Sequence, residues 1–282
     1  AGMMDCKKAL TECSGDIEEA IVWLQKKGIA RAAKKAGRTA AEGLIGMKIE
    51  DGTAIMIEIN CETDFVARND KFQDFVKKVT DVTFGSSVND INGLNEVALD
   101  DGKSVSSWVS EQVANIGENI QLRRMTRIGT AEGHIGGYVH AGAKIGVLVE
   151  VATAGADADT TAEFARNVAM HIAAAHPEYL APEDVDASAL AKQKDILVAQ
   201  ALESGKPPAI VEKMVEGRMR KWLGEISLLK QQYVRDPDLT VEKYQKQVGG
   251  VAITRFARFQ VGEGIEVERT SLADEVAALS GN

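Results

Sequence analysis

The sequence predicts an α+β protein whose core is a duplicated ββα unit, with antiparallel hairpins covered by helices. The first observation is internal similarity: shifted by 90 residues, Glu42-Gly43-Leu44-Ile45-Gly46 falls on Glu132-Gly133-His134-Ile135-Gly136. Without a gap, Gly52 falls on Gly142, Thr63 on Thr153, and Ile55-Ile57-Ile59 on Ile145-Val147-Val149. The second observation is a change of period inside each copy. Ala54 to Ile59 is a short apolar run of strand length. From Asp70 onward, Phe72, Phe75, Val76 and Val79 recur at helix spacing, as do Phe164, Val168 and Ile172 between Thr161 and His176. The third observation is a pair of long helical patterns around Ser204-Gly205-Lys206-Pro207-Pro208, a strong turn. Such a pair makes an antiparallel helical hairpin, either projecting from the body or packed on a sheet.

In chain order, residues 3–27 read as two short helices broken at Ser14-Gly15. Asp16 with Glu19 three residues on has the capping-box pattern. Met3 and Met4 suit either a core or a soft contact surface. A unit this small needs support; the chain begins at Ala1 in what reads as the middle of a helical unit, as a fragment or processed form would. Gly28 to Ala41, with Arg31, Lys34, Lys35 and Arg38, reads as a solvated helical linker. Ser86 to Asp101 reads as polar and irregular. Ser104 to Ile116 is a helix stopped by Gly117, and Ile120 to Met125 alternates as a strand with a basic face. Leu190 to Ala201 and Ile210 to Ile226 are the two arms of the helical hairpin. Thr240 to Gln247 is a helix, Ile253 to Val261 an alternating strand that completes a sheet, and Ser271 to Leu279 a last amphipathic helix.

The stretch Asn60-Cys61-Glu62-Thr63-Asp64-Phe65-Val66-Ala67 lies between a strand and a helix. A phenylalanine beside a carboxylate there has two explanations. Phe65 folds onto the core while Asp64 or Asn69 caps the helix, or the loop has a function of its own. The duplication is an internal control: the second copy has Thr153-Ala154-Gly155-Ala156 at the same place, so the fold does not demand Asp and Phe.

Composition excludes several classes. Net charge is −9, from 42 acidic and 33 basic residues, which argues against broad nucleic-acid binding. No apolar run approaches the roughly 20 residues of a membrane span, and no signal peptide is visible. Three cysteines without a Cys-x-x-Cys pair suit free thiols in a reducing compartment. Asp101-Gly102-Lys103-Ser104 fails as a phosphate-binding loop, because Val97 stands where its first glycine belongs. His134, His140, His171 and His176 lack the spacing of a metal site. Asp64 with Glu62 is a weak acid/base pairing. No enzyme, cofactor or metal is expected.

Four stretches together carry a resemblance. They are Ala1-Gly2-Met3-Met4-Asp5-Cys6-Lys7-Lys8-Ala9-Leu10, Asn60 to Ala67, Ile116-Gly117-Glu118-Asn119-Ile120, and Glu216-Gly217-Arg218-Met219. In this order they resemble the translation elongation factor Ts family over essentially the whole chain. The resemblance implies a guanine nucleotide exchange factor, not an enzyme, whose partner is elongation factor Tu in its GDP-bound and nucleotide-free states. It implies no direct nucleotide, nucleic-acid or membrane binding, allows a homodimer of heterodimers, and suggests a bacterial cytoplasm, with an organelle as the other origin. The implied domains are an incomplete ubiquitin-associated-like amino-terminal unit with its basic linker (1–37), the first core half (38–128) and the second (129–185). A coiled-coil hairpin (186–228), a return to the second half (229–265) and a carboxy-terminal helical module (266–282) follow. The family's amino-terminal unit has a further helix before the position of Ala1.

By the same resemblance, Thr63, Asp64, Phe65 and Val66 dislocate the partner's magnesium, and Met3, Met4, Lys7, Ile116, His140 and Val234 bind the partner. The final helix is a further candidate. Ile116 also suits a core position and His140 an ordinary turn. The alternative is a non-catalytic protein-binding module using the amino-terminal helices.

Overall fold

The computed structural model describes residues 3–203 and 207–266. The expected last helix, and most of the turn at Ser204 to Lys206, lie outside the described residues. Helices and antiparallel sheets are combined as expected of an α+β fold. The described residues form two compact units, one from residues 3–46, 57–125 and 260–266, the other from 47–56, 126–203 and 207–259.

In the first unit, α1 (Met3–Glu12) is followed by α2 (Ile17–Lys35), whose Asp16 side chain accepts from the Glu19 amide at 2.9 Å. α1 is tied to α2 through Asp5, which faces Lys27 at 2.8 Å and Arg31 at 3.0 Å. Hydrogen bonds from Arg31, then Lys27, hold the Asp5 carboxyl down to about 2. Of the stretch read as a solvated helical linker, Gly28 to Lys35 are helical and prolong α2 without a break, and Ala36 to Ala41 lie beyond its end. α2 packs against α6 (Val105–Ile116), with Gly28 facing Ala114 across the contact.

β1 (Glu42–Glu50) and β2 (Thr53–Cys61) run through both units, and β3 (Gln121–Gly129) follows β2 in a three-stranded sheet of order β1-β2-β3. The one-turn helix α3 (Asp64–Ala67) leads into α4 (Asp70–Gly85), capped by the Asn69 side chain on the Lys71 amide. Phe72, Phe75, Val76 and Val79 are buried along one face of α4, and each contributes about 1.5–3 kcal/mol. Phe75 meets Trp108 of α6 edge-on at 4.7 Å. Gly46 is required by close approach: a Cβ there would fall 2.0 Å from Thr80 Oγ1 on α4. The stretch read as irregular holds a short helix, α5 (Ile91–Glu96), capped by Asp90 and anchored by buried Leu94. Six residues with one buried side chain carry too little periodicity to announce it.

Glu58 is fully buried on β2. It takes bonds from Arg123 at 2.9 Å, Arg124 at 2.6 Å and the Gly262 amide at 2.8 Å. Burial pushes its carboxyl up, but the Gly262 amide and both guanidinium groups outweigh that and hold it below its usual value. Arg124 also donates to the Gln260 carbonyl and the Glu263 carboxylate, each at 3.0 Å.

In the second unit, β4 (Gly133–Val139) pairs antiparallel with β5 (Ile145–Thr153), from Gly133↔Ala152 to Val139↔Gly146, and β8 (Val251–Gln260) completes the order β4-β5-β8. α7 (Ala158–Ala175) lies on β4 and β5, closest at Gly136, where a Cβ would fall 2.6 Å from the Ala165 Cβ. Val147, Val149, Val151, Phe164, Val168 and Ile172 are the heart of this core. α8 (Ala187–Leu202) and α9 (Pro208–Ile226) pack on each other through Leu197, Ala201, Val211 and Val215. Between α9 and α10 (Val241–Val248) lies a small hairpin not expected from sequence, β6 (Gln232–Tyr233) with β7 (Asp236–Thr240).

His171 of α7 is fully buried, its Nε2 2.9 Å from Gln231 Oε1. The Val234 amide donates to its Nδ1 at 3.2 Å, so the ring is neutral with its proton on Nε2. Gln231 is held in turn, its amide donating to the Ala175 and Glu225 carbonyls. Burial pushes the His171 imidazole below its ordinary value, against the opposing effect of the Gln231 bond.

Three stability predictions can be checked. Arg123→Ala should lower unfolding free energy by about 2 kcal/mol in urea titration, less than for an isolated buried pair because Arg124 and the Gly262 amide remain. Lys221→Ala, which loses only an exposed pair with Glu225, should cost under about 0.5 kcal/mol. For His171 the unfolded chain takes up a proton more readily than the folded one below the ordinary imidazole value. Its contribution is therefore present above about pH 6.5 and lost as pH falls from there toward the lower folded value. Melting temperatures compared between about pH 7.5 and 5.5 should fall more steeply for the native chain than for His171→Gln.

Candidate functional site

β2 runs out of the core with Asn60 and Cys61 fully buried, and the chain then turns outward. Thr63 is extended and its hydroxyl oxygen accepts from the Val66 amide at 3.3 Å, which caps the single turn of α3. The far side of the turn is closed by Arg68, 2.9 Å from the Asp64 carboxylate. Ala67 is buried and serves as the foot of the turn. Phe65, at its crest, is 81% exposed. Of the two sequence explanations, the structure removes the first for Phe65: the ring does not fold onto the chain's core, and the caps are Thr63 and Asn69.

The turn is held from behind. The loop after α6 begins at Gly117, which takes the left-handed conformation at φ 91° and ends the helix. Glu118 then points its carboxylate at the start of the turn. Its Oε2 accepts from the Glu62 and Thr63 amides, each at 3.0 Å, and its Oε1 accepts from the Thr63 hydroxyl at 2.6 Å. In return, Glu62 Oε1 accepts from the Asn119 amide at 2.6 Å, and Glu62 Oε2 lies 3.6 Å from Arg38. The Asn119 side chain donates to the Arg38 carbonyl at 2.8 Å. Cys61 donates its thiol proton to the Thr63 carbonyl at 3.2 Å.

The comparable turn after β5, Thr153 to Ala156, is built otherwise. Its Thr153 hydroxyl donates to the Glu132 carbonyl, and Gly155 carries the bend at φ 105°.

The other candidate residues fall into two groups. In the first unit, Met3 and Met4 on α1 are 87% and 74% exposed, and Lys7 is exposed beside them. Ile116, half-buried, is the last residue of α6, two positions before Glu118, so the structure brings it to the same helix end that holds Thr63. In the second unit, His140 is exposed on the β4–β5 connection, where its Nδ1 lies 3.0 Å from the Tyr138 hydroxyl. Val234 is 45% exposed at the β6–β7 turn, its amide fixed by buried His171.

Sequence reasoning named Glu118 and Asn119 only as part of a motif and assigned them no role. Nothing in their local pattern predicts a bond to residues 55 or more positions away. Tyr138 and His171 were likewise unassigned. Among the described residues, no group of three or more metal-binding side chains occurs, and no helix is long and apolar enough to cross a membrane. The arrangement presents an exposed apolar ring on a hydrogen-bonded turn, with exposed methionines elsewhere in the same unit.

Residues 62–263 match the family described as elongation factor TS. The chain is 49% identical over 293 aligned residues to elongation factor Ts of Brucella anthropi, covering 99% of this chain and 94% of that relative. It is 47% identical over 293 aligned residues to elongation factor Ts of Trichlorobacter lovleyi, covering 100% and 94%. Against elongation factor Ts of Syntrophotalea carbinolica the identity is 46% over 286 aligned residues, covering 99% and 94%. With more than half of the chain matched by the family and relatives this similar along nearly their whole length, the chain belongs to the elongation factor Ts family of translation elongation factors.

Proposed function

We propose that the protein is a guanine nucleotide exchange factor. It binds elongation factor Tu carrying GDP, disturbs the magnesium and phosphate site there, and promotes GDP release so that GTP can rebind. The observation that carries this reading is Phe65, an exposed ring on a turn tied down on both sides. Magnesium demands near-ideal octahedral geometry and holds nucleotide phosphates. A ring wedged between partner helices shifts the residues that orient the ion, and the ion then binds less well. Asp64, on the same turn, holds displaced backbone by a charge-assisted bond. Thr63 and Val66 set the turn. No covalent step is performed by this chain.

Linkage limits what a single turn can do. A factor that weakens nucleotide binding is itself weakened by nucleotide to the same degree. A thousandfold effect needs about 4 kcal/mol of coupling, so a broader surface must anchor the factor. Met3, Met4, Lys7 and Ile116 in one unit, with His140 and Val234 in the other, are that surface in this reading. Their exposure supports it, apart from Ile116, which is half-buried.

The duplication belongs to the same reading. Gly46 and Gly136 stand at matching places in the two copies, and each is the point where a helix closes on its hairpin. The six domains set out above, with a coiled-coil pair at 186–228, a ubiquitin-associated-like start and a bacterial cytoplasmic setting, complete it. The exposed methionines on α1 favour one second reading, a binding module that recognises a partner without driving release.

Stopped-flow release of fluorescent GDP from elongation factor Tu tests the proposal. The chain should accelerate release, and Phe65→Ala should slow the accelerated rate by about tenfold or more while weakening binding to nucleotide-free partner far less. Unchanged release with Phe65→Ala would remove the wedge. Loss of all activity on deleting residues 1–40 would favour the binding module.

A further inference from the structure

We infer that Glu118 is a positioning residue for nucleotide release: its carboxylate holds the Phe65 turn rigid, so that contact with the partner becomes strain in the partner and not in the turn. This deepens the exchange reading and rests on it.

The turn cannot hold itself. Four helical residues are far below the length at which a helix is stable in water, because nucleation costs more than one turn returns. Phe65, which would ordinarily anchor such a turn by burial, faces outward. Apart from buried Ala67, the exposed Asp64–Arg68 pair and the Cys61 thiol bond, the ties on the entry to the turn are made to Glu118. One carboxylate takes three donors from two successive residues, Glu62 and Thr63.

The Thr63 hydroxyl makes the link to the tip. It has a single proton, and at 2.6 Å that proton goes to Glu118 Oε1. A lone pair is thereby aimed at the Val66 amide, the cap of α3. Glu118 therefore sets the rotor that caps the helix carrying Phe65. The requirement is for an acceptor-only group, since every contact made to it is a donor. An amide would keep one accepting oxygen and turn a donor on the rest.

The reverse bond, from the Asn119 amide to Glu62, makes the tie reciprocal, so hinging the turn away breaks bonds in both directions. The Thr153–Ala156 turn, whose threonine hydroxyl is satisfied by a main-chain carbonyl, carries no such carboxylate bond among its described contacts. The clasp is thus not a general need of a strand-to-helix connection in this chain.

A wedge that yields still binds, because it keeps its contact area, but it relaxes without deforming its partner. The expected signature is a fall in maximal release rate at nearly constant half-saturating concentration. In full-length chain, Glu118→Gln should lower the maximal rate of fluorescent GDP release from elongation factor Tu by about tenfold, with the half-saturating concentration within about twofold of the native value. Glu118→Ala should lower it further. In a Phe65→Ala background, Glu118→Gln should have little further effect, because both act through the same ring.

Thr63→Val removes only the hydroxyl link. It should give a smaller fall of the same kind, and it keeps the inference testable if the Glu118 variants fail to fold by circular dichroism. A native chain that leaves release at its spontaneous rate overturns the exchange reading and this inference with it. An active native chain with an equally active Glu118→Gln variant overturns only the assignment of Glu118. So does an equal fold-loss in the presence and absence of the Phe65 ring, which would mark Glu118 as a general structural support.

Discussion

A carboxylate that accepts three donors from one end of a strand, while that end accepts a donor in return, ties two parts of a chain that are more than 50 residues apart. In this protein the tie joins Glu62-Thr63 to Glu118-Asn119. Its value comes from charge: hydrogen bonds to an ionised acceptor are about twice as strong as neutral ones, and here they replace the burial that normally fixes a loop. The outcome is an exposed aromatic ring on a hydrogen-bonded base. Exposure and anchoring usually oppose each other, because what immobilises a phenylalanine in most proteins is the core it is buried in.

The base rests on the sheet behind it. β2 enters the turn directly from a fully buried run, Ala54 to Cys61, apolar except for Glu58 and Asn60. Glu58 is compensated by two arginines and an amide, so the most expensive buried group in the strand also draws β3 and the 260–263 segment to it. α4 closes over β1 at Gly46, where no side chain larger than hydrogen fits. The path from core to tip is thus continuous: packed helix, strand, clasp, capped turn.

The second unit uses a different device to fix an exposed residue. Val234 sits on a two-strand hairpin too small to be stable alone. Its amide is bonded to a buried neutral histidine, which is itself oriented by Gln231. Tyr233 beneath it stacks on Tyr244 at 4.4 Å. Val234 is thus held through its own amide by a buried group on another element, whereas Phe65 is held only through its neighbours Glu62 and Thr63.

Much of this was legible in one dimension. Apolar period announced β2, α4, β5 and α7, and the capping residues Asp16 and Asn69 lie where side-chain chemistry puts them, because such signals depend on neighbours within a few residues. The 90-residue offset sets Ala154-Gly155-Ala156 against Asp64-Phe65-Val66, and the structure places the Phe65 ring outside the core. α5 and the β6–β7 hairpin were not legible, since each is stabilised by contacts with distant elements that outweigh weak local preference. Sequence alone determined which residues were anomalous for the fold. Only the tertiary structure decided that Phe65 faces outward and that Glu118 holds it there, because exposure and hydrogen bonding between remote residues are properties of chain folding in three dimensions and leave no period or spacing behind.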